Sequence, residues 1–367
     1  MFQLSAFDVC HSEKVADLVV MTQNVIPLQA RSAQIREGNA KSMGSVKEES
    51  DLVSVGIVTW NSAKDLPACI AGLREQSHSP IEFVVVDNAS NDDSVSVVQE
   101  LLPEAKLILN NSNEGYCRSQ NVAIHASKGE YYLALNPDVR LMPTFIEHLV
   151  LALEEHPDCG SAVGKMWLAA EAKVKVLDGA GLFLDRRRHQ FLRGHKEVDQ
   201  GQFDRAQEVF GADGAAPLHR RAMLEDVKVF GEVFDEQFFG YQEDVDVAWR
   251  ARLLGWKCWY QPRATAFHER TFKPGMRRSV PRQIRRIAVK NRYLTILKNE
   301  APECWRRDWW RILAFDLGIL TYILLFEQSS LGAFGLLRRQ WPRARLWRAQ
   351  IWDRVKAEPQ QRLGWFG

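Results

Sequence analysis

Two places in this 367-residue chain put carboxylates where chemistry can use them. The first is Leu133-Ala134-Leu135-Asn136-Pro137-Asp138-Val139, where an apolar run stops at an Asn, a Pro and an Asp. Asn and Pro are good turn residues, so a plain turn accounts for part of the pattern. A strand-end carboxylate with no basic residue directly beside it also suits a hard divalent cation. Mg²⁺ and Mn²⁺ prefer oxygen ligands and commonly bridge one or two carboxylates to substrate phosphates. Asp138 fits that role. The second place is Phe238-Phe239-Gly240-Tyr241-Gln242-Glu243-Asp244-Val245-Asp246. Acids at the start of a helix complement its dipole whatever else they do. Carboxylates beside aromatics are, in addition, placed to have raised pKa values and to act as a general base. His268 follows the short apolar run Ala264–Phe267. Alone it reads as structural; with Asp138 it becomes a second metal ligand.

These residues need elements to position them. Near-continuous apolar, β-branched runs at Leu52–Val58, Ile81–Val86, Leu107–Leu109 and Tyr131–Leu135 read as strands buried on both faces. Helical patterns lie between them, near 63–76, 92–102 and 117–127. Strand alternating with helix predicts an α/β fold with a mostly parallel sheet flanked by helices. Ligands bind such sheets beyond the carboxyl ends of the strands. All four predicted ends are polar: Thr59-Trp60-Asn61, Asp87 to Asp92, Asn110 to Asn121, and Asn136-Pro137-Asp138. At these ends Asp87 is placed to accept hydrogen bonds from a base or a ribose. The chain has neither G-x-G-x-x-G nor G-x-x-x-x-G-K-[ST], which argues against a dinucleotide Rossmann site and a P-loop. A phosphate-bearing ligand would then need a metal, with Arg118 and the backbone near Gly115 as further donors.

A helix is expected within 142–157 and another strand over Cys159–Leu168. Residues 170–210, charged and irregular, read as a variable insertion or acceptor-side loop. Residues 1–50 read as a flexible extension with a short helix near Lys14–Val20. Six scattered Cys with no CxxC, and no basic-then-apolar leader, fit a reduced cytoplasmic setting.

The net charge of +2 hides an asymmetry. From Thr271 onward there are 20 Lys/Arg against 7 Asp/Glu, leaving the tail at +13 and the rest at −11. The tail opens with a basic amphipathic pattern over 282–299. It continues into the most apolar stretch of the chain, 309–339, interrupted by Asp316 and Glu327 and flanked by Trp and Arg. This composition predicts association with an anionic membrane surface. Its aromatics lie in apolar helical runs rather than along a basic groove, which argues against nucleic acid.

The blocks "VSVGIVTWN", "FVVVDNASNDDS", "NEGYCRSQNVAI", "GEYYLALNPDV", "FDEQFFGYQEDVDVAWRARLLGW" and "ATAFHE" resemble, in order, the family 2 glycosyltransferases of the GT-A fold, in their rhamnosyltransferase-like branch. They span about residues 52–270. The resemblance implies a GT-A domain over 51–275, between the 1–50 extension and a helical membrane-associating tail over 276–367. It implies Thr59, Asn61 and Asp87, with Asn88 and Asn136, around a nucleotide sugar. It places Gly115, Arg118 and Asn121 toward the diphosphate, and Asp138 with His268 at Mg²⁺ or Mn²⁺. Asp138 stands where the family's DxD motif ends, and the first carboxylate of that motif is Asn136 here. Asp244 matches the catalytic base, with Glu243 its rival. The segment "GADGAAPLHRRAML" departs from the family's acceptor-side pattern at Asp213 and Pro217. The implied activity is inverting transfer of a sugar, rhamnose favoured, from a dTDP- or UDP-sugar to a lipid-linked or polysaccharide acceptor of the cell envelope. The enzyme would sit at the inner face of the plasma membrane. Two alternatives are a UDP-dependent transferase of galactofuranose or a hexosamine, and a catalytically silent nucleotide-sugar-binding subunit; the intact Asp138, Asp244 and His268 speak against the latter.

Overall fold

The computed structural model describes residues 51–168, 174–270 and 280–367. The extension expected over 1–50, with its short helix, lies outside them. The first half of the domain alternates as the sequence predicts. Strand β1 (Val53–Thr59) is followed by helix α1 (Leu66–Arg74), β2 (Ile81–Asp87) by α2 (Ser94–Leu101), β3 (Lys106–Leu109) by α3 (Tyr116–Ala126), and β4 (Tyr131–Leu135) by a turn into β5 (Val139–Leu141) and α4 (Phe145–Glu155). These four strands pair in parallel in the order β4-β1-β2-β3. Their register aligns the polar ends. Thr59 faces Asp87, Asp87 faces Leu109 just before Asn110, and Ile57 faces Leu135 just before Asn136.

The second half is antiparallel in part. Strand β6 (Cys159–Leu168) precedes β7 (Val176–Gly179), β8 (Leu182–Leu184), β9 (Gln190–Leu192), β10 (Gln207–Val209) and β11 (Leu218–Arg220). Helices α5 (Arg221–Val227) and α6 (Glu243–Leu253) then lead to β12 (Lys257–His268). Strand β11 runs antiparallel between β4 and β6, joining the halves into one sheet of order β10-β12-β6-β11-β4-β1-β2-β3, with β5 and β7 on its flank. The segment read from sequence as irregular therefore carries four short strands. Each is too short to show a period of two, so no alternation marked them.

One face of the sheet buries Val53, Val55 and Ile57 against α1 and α4. The other buries Val84, Val86 and Tyr132 against α3, α5 and α6. Both faces are covered, which is why the parallel strands are apolar along their whole length.

Four helices close the chain: α7 (Arg282–Asn299), α8 (Pro302–Phe326), α9 (Gly332–Trp352) and α10 (Pro359–Gly364). Helix α7 was expected as a basic helix facing an anionic partner, and part of that charge is used internally. Lys290, Arg292 and Lys298 are buried. Lys298 Nζ lies 2.8 Å from Asp235 and 3.0 Å from Asp246, and Leu294 joins the core cluster under the sheet. Arg188 pairs in return with Glu300 and Asp308, at 2.7 and 3.1 Å. The apolar run beyond is broken at Glu327 into α8 and α9. Helix α8 is the one helix among the described residues long and apolar enough to cross a membrane, and only 11% of its apolar window is buried.

Candidate active site

The turn after β4 delivers Asp138, and β12 delivers His268 beside it. The two meet because β5 runs antiparallel to the end of β12 with Val139 opposite His268. The Glu269 N–H donates to the Asp138 carbonyl at 2.9 Å, and the Asn136 N–H donates to Ala215 at 2.9 Å. His268 Nε2 lies 3.3 Å from Asp138 Oδ1, near enough for an ion pair but without the alignment of a good hydrogen bond. Nδ1 lies 2.7 Å from Asp178 Oδ2, and Arg270 Nε lies 2.5 Å from the other oxygen of that carboxylate. Asp138, Asp178 and His268 are all buried. Burial opposes charge on the imidazole, but the Asp178 and Asp138 carboxylates override it and raise its pKa. Burial likewise works against both carboxylates, and His268 holds each well below the usual range. The two carboxylates thus favour the charged form of the imidazole between them.

The sequence marks Asp178 only weakly, since the Val-Lys-Val-Leu stretch before it is short and broken by Lys175.

The second carboxylate pair comes from a strained loop. Phe239, Tyr241 and Gln242 all have positive φ, at 65°, 68° and 68°. Non-glycine residues adopt this region at a cost, and such strain concentrates at functional sites. Asn291 of α7 holds the loop: its Nδ2 donates to the carbonyls of Phe238, Gly240 and Tyr241 at 3.1, 2.8 and 2.7 Å. Lys290 donates to Gln237 beside them. The loop opens directly into α6, so Glu243 and Asp244 sit on its first turn. Glu243 is buried and both its oxygens lack a hydrogen-bond partner. Burial, then the neighbouring Asp244, push its pKa far up. Asp244 is half-buried and accepts from the Val245 N–H at 2.8 Å; burial raises its pKa as well. Glu243 is thereby the group kept protonated near neutrality, and Asp244 the one free to take a proton.

Glu243, Asp244, His268 and Arg270 line one small cleft, together with Tyr241 and Asp213. Asp213 belongs to the segment that departs from the family pattern. It is buried, accepts from the Ala215 N–H at 3.1 Å, and has its second oxygen unpartnered.

The other residues singled out in the sequence lie along the strand ends. Thr59 is buried with Oγ1 unpartnered. Asp87 accepts from the Ser90 N–H at 2.9 Å and the Ser90 hydroxyl at 2.5 Å. Asn61 has φ 51° and accepts from the Asn91 N–H at 2.8 Å. Asn88 accepts from Ser119 and Asn110, at 2.7 and 2.9 Å. Asn136 is buried beneath the Asp138 turn. Gly115 caps α3 at φ 84°, where a Cβ would fall 2.5 Å from the Phe239 ring. Arg118 reaches solvent beside Glu114, 3.2 Å away. Asn121 is not brought to this group. Its amide donates to Phe234 at 2.8 Å and its oxygen accepts from the Val233 and Phe234 N–H groups, so it pins the segment before the strained loop.

Parallel strands with aligned polar ends, a buried Asp–His pair and a carboxylate loop on one cleft are arranged as in the GT-A fold. Residues 54–222 match the model of glycosyl transferase family 2, and this part of the chain is similar to the rhamnosyltransferase-like members of that family. The chain is 26% identical over 250 residues to an N-acetylglucosaminyl-diphospho-decaprenol L-rhamnosyltransferase of Mycobacterium tuberculosis, covering 62% of this chain and 78% of the relative. It is 30% identical over 107 residues to an uncharacterized glycosyltransferase of Haemophilus influenzae, covering 29% and 36%. Among solved structures it is similar in fold to GalNAc-T7 with UDP, GalNAc and Mn²⁺. The TM-score there is 0.53 with 13% identity, over 67% of this chain and 48% of that one, so the chain spans about half the length of that protein.

Proposed function

We propose that this protein is an inverting transferase that moves a sugar, rhamnose favoured, from a dTDP- or UDP-linked donor to a lipid-linked acceptor in cell-envelope glycan synthesis. The observation that carries this reading is the shared cleft: the half-buried base candidate Asp244 and the Asp138–His268 pair's imidazole open onto the same space. The name of the mycobacterial relative supplies the acceptor class and the sugar.

Donor nucleoside binds along the aligned ends of β1 and β2, at Thr59, Asn61, Asp87 and Asn88, with its diphosphate toward Gly115, Arg118 and Asp138. Asp138 and His268 would hold a divalent ion such as Mn²⁺ or Mg²⁺ with one oxygen and one nitrogen donor. Among the described residues no cluster of three metal-binding side chains stands ready, since Asp178 lies on the far side of the imidazole. When bound, such an ion offsets the charge that grows on the departing diphosphate. Asp244 takes the proton of an acceptor hydroxyl. The oxygen forms its bond to the anomeric carbon from the opposite face, and the bond to the diphosphate breaks with its electron pair leaving on phosphate oxygen. Glu243, kept neutral, spares Asp244 a second adjacent negative charge.

Helix α8 supports a peripheral position at the cytoplasmic face of the plasma membrane. Trp309, Trp310, Leu313 and Leu317 are exposed on it, and the tail keeps a large positive charge.

The first test is a binding panel of dTDP, UDP, GDP and CDP, with and without Mn²⁺, on wild type and Asp138→Ala. Metal-dependent binding of dTDP or UDP that the variant loses is the expected result. A well-folded protein that binds none of them overturns the reading.

A further inference from the structure

Helix α8 is packed at its two ends, and between them the buried Ile312 and the Asp316–Arg292 pair tie it to its neighbours. Near its start Cys304 and Asp308 are buried, the latter against Arg188. Near its end Ile319 and Ile323 pack with Val289 of α7 and Ala333 of α9. Between these anchor points α7, α8 and α9 enclose an open slot of about 410 Å³. Its lining is apolar: Tyr293, Ile296 and Leu297 from α7, Ile312 from α8, Leu337 and Trp341 from α9.

Charged groups also border the slot, and each already has a partner. Glu300 pairs with Arg188 at 2.7 Å, and Asp316 with Arg292 at 2.8 Å. Arg348 donates to the carbonyls of Leu297 and Lys298, at 3.1 and 3.3 Å. What remains for a ligand is hydrocarbon surface. Apolar walls left open to water are unfavourable, and the slot is far larger than the voids that close-packed interiors leave. The mouth is framed by Trp305 and Trp341, both more than 40% exposed. Outside it lies the apolar outer face of α8. Tryptophans at the edge of an apolar surface are what a lipid–water boundary favours.

We propose that this slot holds the hydrocarbon chain of the lipid-linked acceptor, drawn in sideways from the membrane surface on which α8 lies. The proposal rests on the lipid-linked acceptor reading above and gives it a location. Helix α7 connects the slot to the chemistry: Asn291 holds the catalytic loop, while Tyr293, Ile296 and Leu297 of the same helix line the slot. A chain lying there tethers its head group next to the element that carries Asp244.

The test uses the full chain in a non-ionic detergent and a fluorescent decaprenyl monophosphate as probe, with hexyl phosphate as competitor and decaprenyl monophosphate as its long-chain counterpart. Wild type binds the probe, and the long chain competes far better than the short one. Ile296→Trp, which fills the slot, weakens probe binding by about tenfold or more, comparable to excluding two methylenes. Ile296→Val, which leaves it open, binds as wild type does. Nucleotide affinity and circular dichroism are unchanged in both, which separates a blocked slot from a misfolded protein. Equal competition by short and long chains, or unaltered binding by Ile296→Trp, overturns the proposal. So does a changed sedimentation coefficient in Ile296→Trp with lipid binding intact, which would make the slot an interface between copies. Chain-length-dependent binding by a protein that binds no nucleotide would defeat the transferase reading and leave the slot standing.

Discussion

The side-chain amide of Asn291 donates to the Tyr241 carbonyl at 2.7 Å, from a helix that follows the catalytic loop by some fifty residues of chain. It holds Phe238 and Gly240 in the same grip. Three neighbouring residues of that loop have positive φ, a conformation worth roughly 1–3 kcal/mol of strain apiece that surroundings must hold in place. Asn291→Ala removes the donor and leaves three carbonyls to find other partners. Its kcat falls by roughly 10–100-fold, while the dissociation constant for nucleotide stays near wild type. Asn291→Asp is no better, because a carboxylate has no N–H to offer. Steady-state kinetics beside calorimetric nucleotide titration would check both.

Asp244→Asn keeps shape and loses the base. Transfer drops by roughly 10²–10⁴-fold, with nucleotide binding intact. Burial raises the Asp244 pKa, so the rising limb of wild-type kcat/KM against pH lies above about 4, the ordinary Asp value, and toward neutrality. Near-wild-type transfer by the variant would remove Asp244 from the base role.

Glu243 carries a stability cost of definite sign. Its folded pKa is raised above the unfolded value by burial. Its stabilising contribution is therefore complete below the unfolded pKa and lost as pH rises through the folded one. Glu243→Gln cannot ionise, so its melting temperature exceeds that of wild type by a few degrees at pH 8 and by less at pH 5. Thermal melts at the two values, without nucleotide, read this directly. Equal differences at both would show that Glu243 is not held protonated.

Asp178, 2.7 Å from His268 Nδ1, favours a proton on the imidazole. A divalent ion at Nε2 competes with that proton, so Mn²⁺ affinity of wild type rises with pH. Asp178→Asn lowers Mn²⁺ affinity by roughly 10–100-fold, as loss of a carboxylate behind a ligating imidazole commonly does. It also moves the pH dependence to lower values, because the His268 proton is held less tightly. Metal-free nucleotide binding is unaffected. Manganese titrations at several pH values distinguish this from general damage.

Much of this could be read from the chain because the parallel strands are short, apolar and end abruptly. Asp87 and Asp138 stand out at such ends, and the register of β1 with β2 then aligns Thr59 with Asp87. Glu243 and Asp244 stood out through aromatics directly before them. What was missed depends on contacts between distant segments. Nothing around Asn291 marks it, since its partners lie about fifty residues away. Asp178 sits where strands of three or four residues give no periodic signal. Asn121 lay in a family block and was assigned to the diphosphate, but its amide is occupied by backbone at 233–234. The buried cations of α7 were indistinguishable by composition from cations awaiting a lipid.

Helix α7 holds the 238–241 loop through Asn291 and lines the apolar slot through Tyr293, Ile296 and Leu297. A composition change near residue 276 suggests a place to cut, yet a shortened chain ending there would leave Asp235 and Asp246 without Lys298, and the loop without Asn291. The tail and the carboxylate loop share a part. Reducing the exposed apolar surface is therefore better done by replacing the exposed side chains of α8 one by one than by trimming the chain.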